Sequence, residues 1–288
     1  MLKILAPAKI NWFLEVLHKR PDGYHAIDTV MQTISLFDEI TVEASDTLSL
    51  HCNIDLGPNE KNLAWRAAAL LRDEHAPGRG ACITLKKNIP HGAGLGGGSS
   101  DAASTMLALD RLWGTRLGTL RLQELVSRVG SDCAFFIEGG TARCTGRGEV
   151  IEPLHDVAGV DVVVLYPEEV CPTGPVYQDA SSHLTDEKAK CYLFHVLLKD
   201  FNRTKLASAI FNRLQDSALR VSPGLRNAWS RTESGLGVLA RFVSGSGSSI
   251  AFLMENREVA VTFAATLQSQ GLGRAFTAVT LPRGAVWG

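Results

Sequence analysis

The sequence predicts an α+β protein in two domains. Three observations carry that reading. The first fifty residues are rich in strand formers. A strand near 81–90 runs into a glycine loop and then a helix. The second half sets short apolar strands among amphipathic helices. A chain of 288 residues is long enough for about two domains, and the pattern changes near 150–158, dividing it into 1–152 and 153–288.

In chain order, LKILAPAKINWFLEV reads as strand from residue 2, and KINWFLEVLHKR continues it with partial alternation. HAIDTVMQTISLFDEITVEAS predicts two further strands separated by a turn. NLAWRAAALLRDEH places Leu63, Ala67, Leu70 and Leu71 at helical spacing and stops before Pro77–Gly78. ACITLKKNIP is a strand leading straight into the glycine loop. SSDAASTMLALDRLWG and TLRLQELVSRVG predict helices, and CAFFIEGGTARCTGRGEVIEPL suggests a hairpin. VDVVVLYP opens the second half as a strand. Helices are expected at about 186–200, 203–217, 223–232 and 256–270, with strands between them.

Composition excludes several function classes. Apolar residues make up 45% and charged residues 20%, with a net charge of −1, so no global field draws in nucleic acid or anionic lipid. Any anion site has to be local. Cys52, Cys82, Cys133, Cys144, Cys171 and Cys191 form no CxxC pair, which argues against zinc and for free thiols in a reducing cytoplasm. No apolar run approaches the ~20 residues of a membrane span, and the first residues lack the pattern of a signal peptide. The expected protein is cytoplasmic, a monomer or homodimer, with a small-molecule substrate and neither nucleic acid nor membrane as partner.

The stretch PHGAGLGGGSSDAAS, residues 90–104, holds five glycines. Gly92, Gly94 and Gly97 fit GxGxxG formally, but no βαβ unit precedes them and no acidic residue follows at the spacing of a dinucleotide fold. No GK[ST] closes the run as in a P-loop. What remains is physics common to such loops: glycines let backbone N–H groups converge on a phosphate, and the following helix adds its N-terminal partial charge. A side chain at Gly96 or Gly97 is expected to fill phosphate space or to forbid the required backbone angles.

PHGAGLGGGSSDAA resembles the phosphate-binding motif of the GHMP small-molecule kinases, Pro-x-x-x-Gly-Leu-Gly-Ser-Ser-Ala-Ala. The extra glycines resemble the branch that phosphorylates a cytidine-diphosphate-bearing erythritol in the non-mevalonate route to isoprenoids. APAKINWFLEV, RPDGYH, NLAWRAAALL, VGSDCAFFIEGGTARCTGRGE, TGPVY and SGSGSSIAFL extend the likeness along the whole chain. The resemblance implies an N-terminal domain like domain 2 of ribosomal protein S5, a ferredoxin-like C-terminal domain, and an active site between them. It also implies ATP and Mg²⁺ as cofactors. ATP would be held by Pro90, His91, Gly92, Ala93, Gly94, Leu95, Gly96, Gly97, Gly98, Ser99 and Ser100, with Ser100 on the Mg²⁺.

Taken alone, Lys9 reads as a strand lysine and Asp132 as a turn or helix cap. The resemblance makes them the catalytic pair: Asp132 accepts the substrate hydroxyl proton and Lys9 stabilises the developing charge. It assigns the substrate to Asn11, Tyr24, His25, Thr173 and Tyr177, with the aromatics around the cytosine. RPDGYH is also a good turn in its own right. The chain departs from the family at Cys133–Ala134, where Val-Pro is usual; without the proline, neighbouring packing is expected to set this loop. The Gly/Ser run at 244–249 is expected to be a turn beneath the phosphate loop, with its contact to ligand left open.

Overall fold

The computed structural model describes residues 1–182, 191, 193–232, 235 and 237–288. In chain order the elements are β1 (Leu2–Lys19), β2 (His25–Ser45), β3 (Leu48–Cys52), α1 (Leu63–His75), β4 (Gly80–Lys86), α2 (Gly97–Trp113), α3 (Thr119–Ser127), α4 (Phe135–Glu138), β5 (Thr141–Gly146) and β6 (Val150–Pro153). They continue with β7 (Asp161–Tyr166), α5 (Thr173–Ser181), α6 (Leu193–Lys199), α7 (Arg203–Ala209), β8 (Phe211–Asn212), α8 (Gln215–Val221), α9 (Pro223–Arg231), β9 (Val238–Val243), β10 (Ile250–Met254), α10 (Arg257–Ser269), β11 (Arg274–Val279) and β12 (Val286–Trp287).

Two sheets organise the chain. The first runs β12-β1-β2-β4-β3, with β5 and β6 continuing from β2, and β8 lying parallel to β1. The second, β11-β7-β10-β9, is antiparallel throughout. Its strands, counted along the chain from β7, stand in the order 4-1-3-2, the arrangement of a ferredoxin-like domain. Helices α1 and α2 bury Ala64, Ala67, Leu71, Ala102, Met106 and Leu109 against the first sheet. Each fully buried Leu or Met contributes about 1.5–3 kcal/mol. A second core joins the sheets through β1 and β9, where the Trp12 and Phe242 rings lie 5.7 Å apart.

Three expectations are corrected, and one helix is added. Residues 25–45 form one strand, β2, not two. Ser35 and Leu36 form a bulge between the pairs Phe37–Pro7 and Ile34–Ala8, beside Pro7, a residue with no N–H to give a regular ladder. Phe135–Glu138, expected within the hairpin, form a short helix before it. The helix expected over 203–217 is broken at Phe211–Asn212, which pair with Phe13–Leu14 of β1; tertiary pairing overrides local propensity there. Helix α5 is new. Pro172, Gly174 and Pro175 read as turn formers, yet a first helical turn has no partners for its N–H groups and tolerates proline. The helix expected at 186–200 lies partly outside the described residues, and α6 covers its end.

Candidate active site

Strand β4 ends at Lys86, and the glycine loop follows before α2 begins at Gly97. Gly92, Gly94 and Gly96 take φ of +65°, +76° and +68°, left-handed conformations that other residues rarely adopt. Gly96 is the N-cap of α2. Pro90, His91, Gly92, Ala93, Gly94, Leu95, Gly96, Gly97, Gly98 and Ser99 all line one cavity of about 960 Å³. Lys9, Asn11, Tyr24, His25, Asp132, Thr173 and Tyr177 line the same cavity. The residues singled out in the sequence are thus brought together, with one exception.

That exception is Ser100. It is fully buried, does not line the cavity, and its hydroxyl is sealed within the packing of α2. Its assignment as a magnesium ligand is corrected accordingly; Ser99, one residue earlier, is the hydroxyl that faces the cavity. Among the described residues no group of three or more His, Cys, Asp or Glu forms a metal cage.

Neighbouring side chains also constrain Gly96 and Gly97. A Cβ on Gly96 would lie 2.9 Å from Lys9 Cγ and 2.9 Å from Phe136 Cζ. One on Gly97 would lie 3.0 Å from Ile89 Cγ2 and 3.1 Å from Lys87 Nζ. At Gly96 the φ of +68° and the close side chains both disfavour a Cβ, as the sequence predicts for the backbone angle, and at Gly97 the close side chains do so.

The Gly/Ser run is fastened to the loop from below. Ser249 N donates to Ala93 O at 3.0 Å and Ser244 Oγ donates to Gly94 O at 3.0 Å. Gly94 has no space for a Cβ, which would collide with Ser244 O. Gly245 and Ser246 reach the cavity wall, and Ser246 Oγ sits 3.0 Å from Thr173 Oγ1.

Strand β1 carries Lys9 into this arrangement. Lys9 N donates to Leu95 O at 2.9 Å, stitching the strand to the loop. Lys9 Nζ donates to Asn11 Oδ1 at 2.7 Å and lies 3.9 Å from Asp132 Oδ2. Burial pushes the Lys9 ammonium below its usual pKa, and the Asp132 charge pulls it part of the way back. Asn11 Nδ2 donates to Thr29 Oγ1 at 2.8 Å, so both ends of that amide hold the lysine in place. Asp132 sits at the start of a helical turn: Cys133 N donates to Gly130 O at 3.3 Å and Phe136 N to Cys133 O at 3.2 Å. Cys133 and Ala134 are buried, so packing and these bonds fix the loop without the usual proline. Burial pushes the Cys133 thiol up to about 12, so it stays protonated beside the carboxylate.

At the other end, the His25 and Tyr177 rings stack at 5.4 Å and 27°. His25 Nε2 lies 2.6 Å from Ser181 Oγ. Burial, then the nearby Lys19 charge, lowers the His25 pKa, which favours a neutral imidazole able both to donate and to accept. Burial and the Asp132 charge raise that of Tyr177, keeping its hydroxyl a donor. Tyr24 is half exposed, with the Arg147 guanidinium 5.2 Å from its ring centre.

Sequence reasoning missed Lys87, Arg147 and Ser181, all on the cavity wall. Lys87 had a usable signal. In a strand with period two, one of the adjacent Lys86–Lys87 pair has to face inward. Lys86 meets Glu39 at the surface, and Lys87 is the buried one.

Residues 62–140 match the family of GHMP kinases N terminal domain. A 4-diphosphocytidyl-2-C-methyl-D-erythritol kinase of Pelotomaculum thermopropionicum is 37% identical over 268 residues, covering 92% of this chain and 93% of that one. The chain belongs to the 4-diphosphocytidyl-2-C-methyl-D-erythritol kinase family. A second member, from Dehalococcoides mccartyi, is 35% identical over 90% of this chain and 92% of its own length. A crystal structure of a 4-(cytidine 5'-diphospho)-2C-methyl-D-erythritol kinase superposes with a TM-score of 0.81 at 35% identity, covering 96% of this chain and 98% of that one. A homoserine kinase from Cytophaga hutchinsonii, at 17% identity and TM-score 0.74 over 99% and 96% of the two chains, shares the fold alone.

Proposed function

We propose that this chain transfers the γ-phosphoryl group of ATP to the 2-hydroxyl of 4-diphosphocytidyl-2-C-methyl-D-erythritol, in the non-mevalonate route to isoprenoid precursors. The supporting observation is the placement of Lys9 and Asp132 in a single cavity. That cavity has the glycine loop along one wall and the His25–Tyr177 stack along another.

Phosphoryl transfer needs little covalent help from protein; it needs in-line positioning and charge. Asp132 would take the proton of the 2-hydroxyl as its oxygen bonds to the γ-phosphorus and the bond from that phosphorus to the β,γ-bridging oxygen breaks, releasing ADP. Lys9 would meet the charge that spreads over the transferring oxygens, and Asn11 holds it there. The loop amides and the start of α2 would hold the triphosphate. Magnesium is bound in such sites through substrate phosphates and one or two protein oxygens. The Ser99 hydroxyl on the cavity wall is a hard oxygen donor that suits it. When bound, the ion would offset phosphate charge. Stacking and the neutral His25 edge suit a cytosine ring.

All six cysteines are unpaired, which supports the reducing cytoplasm as the setting. A coupled ADP-release assay comparing the cytidyl substrate with mevalonate and homoserine tests the assignment. Turnover with the cytidyl substrate at least a hundredfold above the others is expected, and a preference for either competitor refutes it.

A further inference from the structure

We infer that Asp38 is a positioning residue for the nucleotide end of the cavity, fixing the chain as it enters the glycine loop and aiming Lys87 at the loop's underside. Asp38 lies on β2, fully buried and outside the cavity wall. Its Oδ1 accepts from Asn88 N at 2.6 Å and from Ile89 N at 2.8 Å. Its Oδ2 bonds Lys87 Nζ, which also donates to Asp101 Oδ2 at 2.7 Å. The inference rests on the ATP-dependent reading above.

Residues 87–89 have left the β4 ladder and have not reached the loop. Their backbone would otherwise be buried without partners, which costs about 1–3 kcal/mol for each group left unpaired. Asp38 supplies two of those partners, and Asn53 Oδ1 accepts from Lys87 N at 2.7 Å. The consequence reaches the loop directly. Ile89 and Lys87 are the side chains packed under Gly97, the first residue of α2. A buried ion cluster is a weak source of stability, since well-packed apolar groups can serve as well. What this one supplies is placement: a single carboxylate sets the height of the loop's first residues and the direction of a cavity-lining ammonium.

The test compares Asp38→Asn, Lys87→Met, the double variant and Asp101→Asn by ATP calorimetry, steady-state kinetics and melting. Asparagine at 38 can still accept from the loop amides but turns an N–H toward Lys87 or loses an amide. ATP affinity is expected to fall about tenfold to a hundredfold in Asp38→Asn, by analogy with buried unpaired groups. Its kcat and KM for the cytidyl substrate should stay within about threefold of wild type. Lys87→Met should shift ATP affinity in the same direction, and the double variant should be no worse than the worse single, the mark of residues acting as one unit. Asp101→Asn touches no loop amide and should change ATP affinity by less than threefold.

Unchanged ATP affinity in Asp38→Asn, or a parallel fall in kcat and both affinities that tracks the melting temperature, overturns the inference. So do equal effects from Asp38→Asn and Asp101→Asn. Should Asp38→Asn fail to fold, Lys87→Met decides: unchanged ATP affinity there overturns it. A wild-type protein that binds no ATP would instead overturn the functional reading itself.

Discussion

Replacing Gly96 by alanine adds one methyl group at the point where loop, Lys9 and helix start meet. Two costs follow from the structure. Holding a residue with a Cβ at φ +68° costs about 1–2 kcal/mol. The methyl would stand 2.9 Å from Lys9 Cγ and 2.9 Å from Phe136 Cζ, both buried, and overpacking of this kind costs about 1–3 kcal/mol. The sum is roughly 2–5 kcal/mol, or a fall in melting temperature of roughly 4–20 °C at about 2–4 °C per kcal/mol. The functional effect is more specific. Phe136 is locked in the core, so Lys9 has to yield, and its ammonium moves away from Asp132. A displacement near 1 Å at a reacting centre costs about a hundredfold. We expect kcat to fall by that order, with ATP affinity within about threefold because the loop amides are unchanged. Differential scanning calorimetry, ATP titration and a coupled kinase assay read the three quantities. A variant that keeps kcat but loses ATP binding would show that Gly96 guards the phosphate, as the sequence alone suggests, and would refute the reasoning.

Asp132→Asn keeps the shape but cannot take a proton, so turnover should fall about 10²–10⁴-fold with the melting temperature nearly unchanged; a variant retaining a third of wild-type kcat would contradict the role. Tyr177→Ala removes the ring stacked on His25 and should cost about 1–3 kcal/mol toward the cytidyl substrate, roughly a ten- to hundred-fold loss of kcat/KM, with ATP affinity little affected. His25→Phe keeps a ring but loses the link to Ser181 and should hurt nearly as much as His25→Ala, measured in the same assay. Burial pushes Asp101 up to about 8 from 3.8, against the pull of Lys87. The folded state therefore binds that proton more tightly than the unfolded chain, and stability is lost as pH rises from about 4 to about 8. Asp101→Asn should flatten that decline, which melting curves at pH 5, 6.5 and 8 would show; an unchanged slope would place the titration elsewhere.

Much of the site was legible because its chemistry depends on local sequence. The five glycines are a short-range signal in themselves, whereas Lys9 and Asp132 stand out only through the short motifs of the resemblance; all of them face one cavity. Less legible were features decided by distant partners. The bulge in β2 depends on Pro7 of another strand, and the break at Phe211 depends on pairing with Phe13. Ser100 shows the limit from the other side. Its neighbour Ser99 has the same side chain, and only the rotation of α2 about its axis decides which hydroxyl faces the cavity and which is buried. The motif fixes neither that rotation nor the partners beneath the loop.

The hydrogen bond from Ser244 to Gly94 joins positions 150 residues apart. On a ribosome adding about 5–20 residues per second, the glycine loop would emerge roughly 8–30 s before the turn that supports it. Strand β1, bearing Lys9, waits longer still for β8 and for Arg213, which holds Glu15 of that strand in a two-pronged ion pair at 2.7 and 2.9 Å. A nascent chain would therefore display every residue of the phosphate motif long before it can use them. Activity would appear late and abruptly in synthesis, when residues 244–249 dock, and half-made chains would consume no nucleotide.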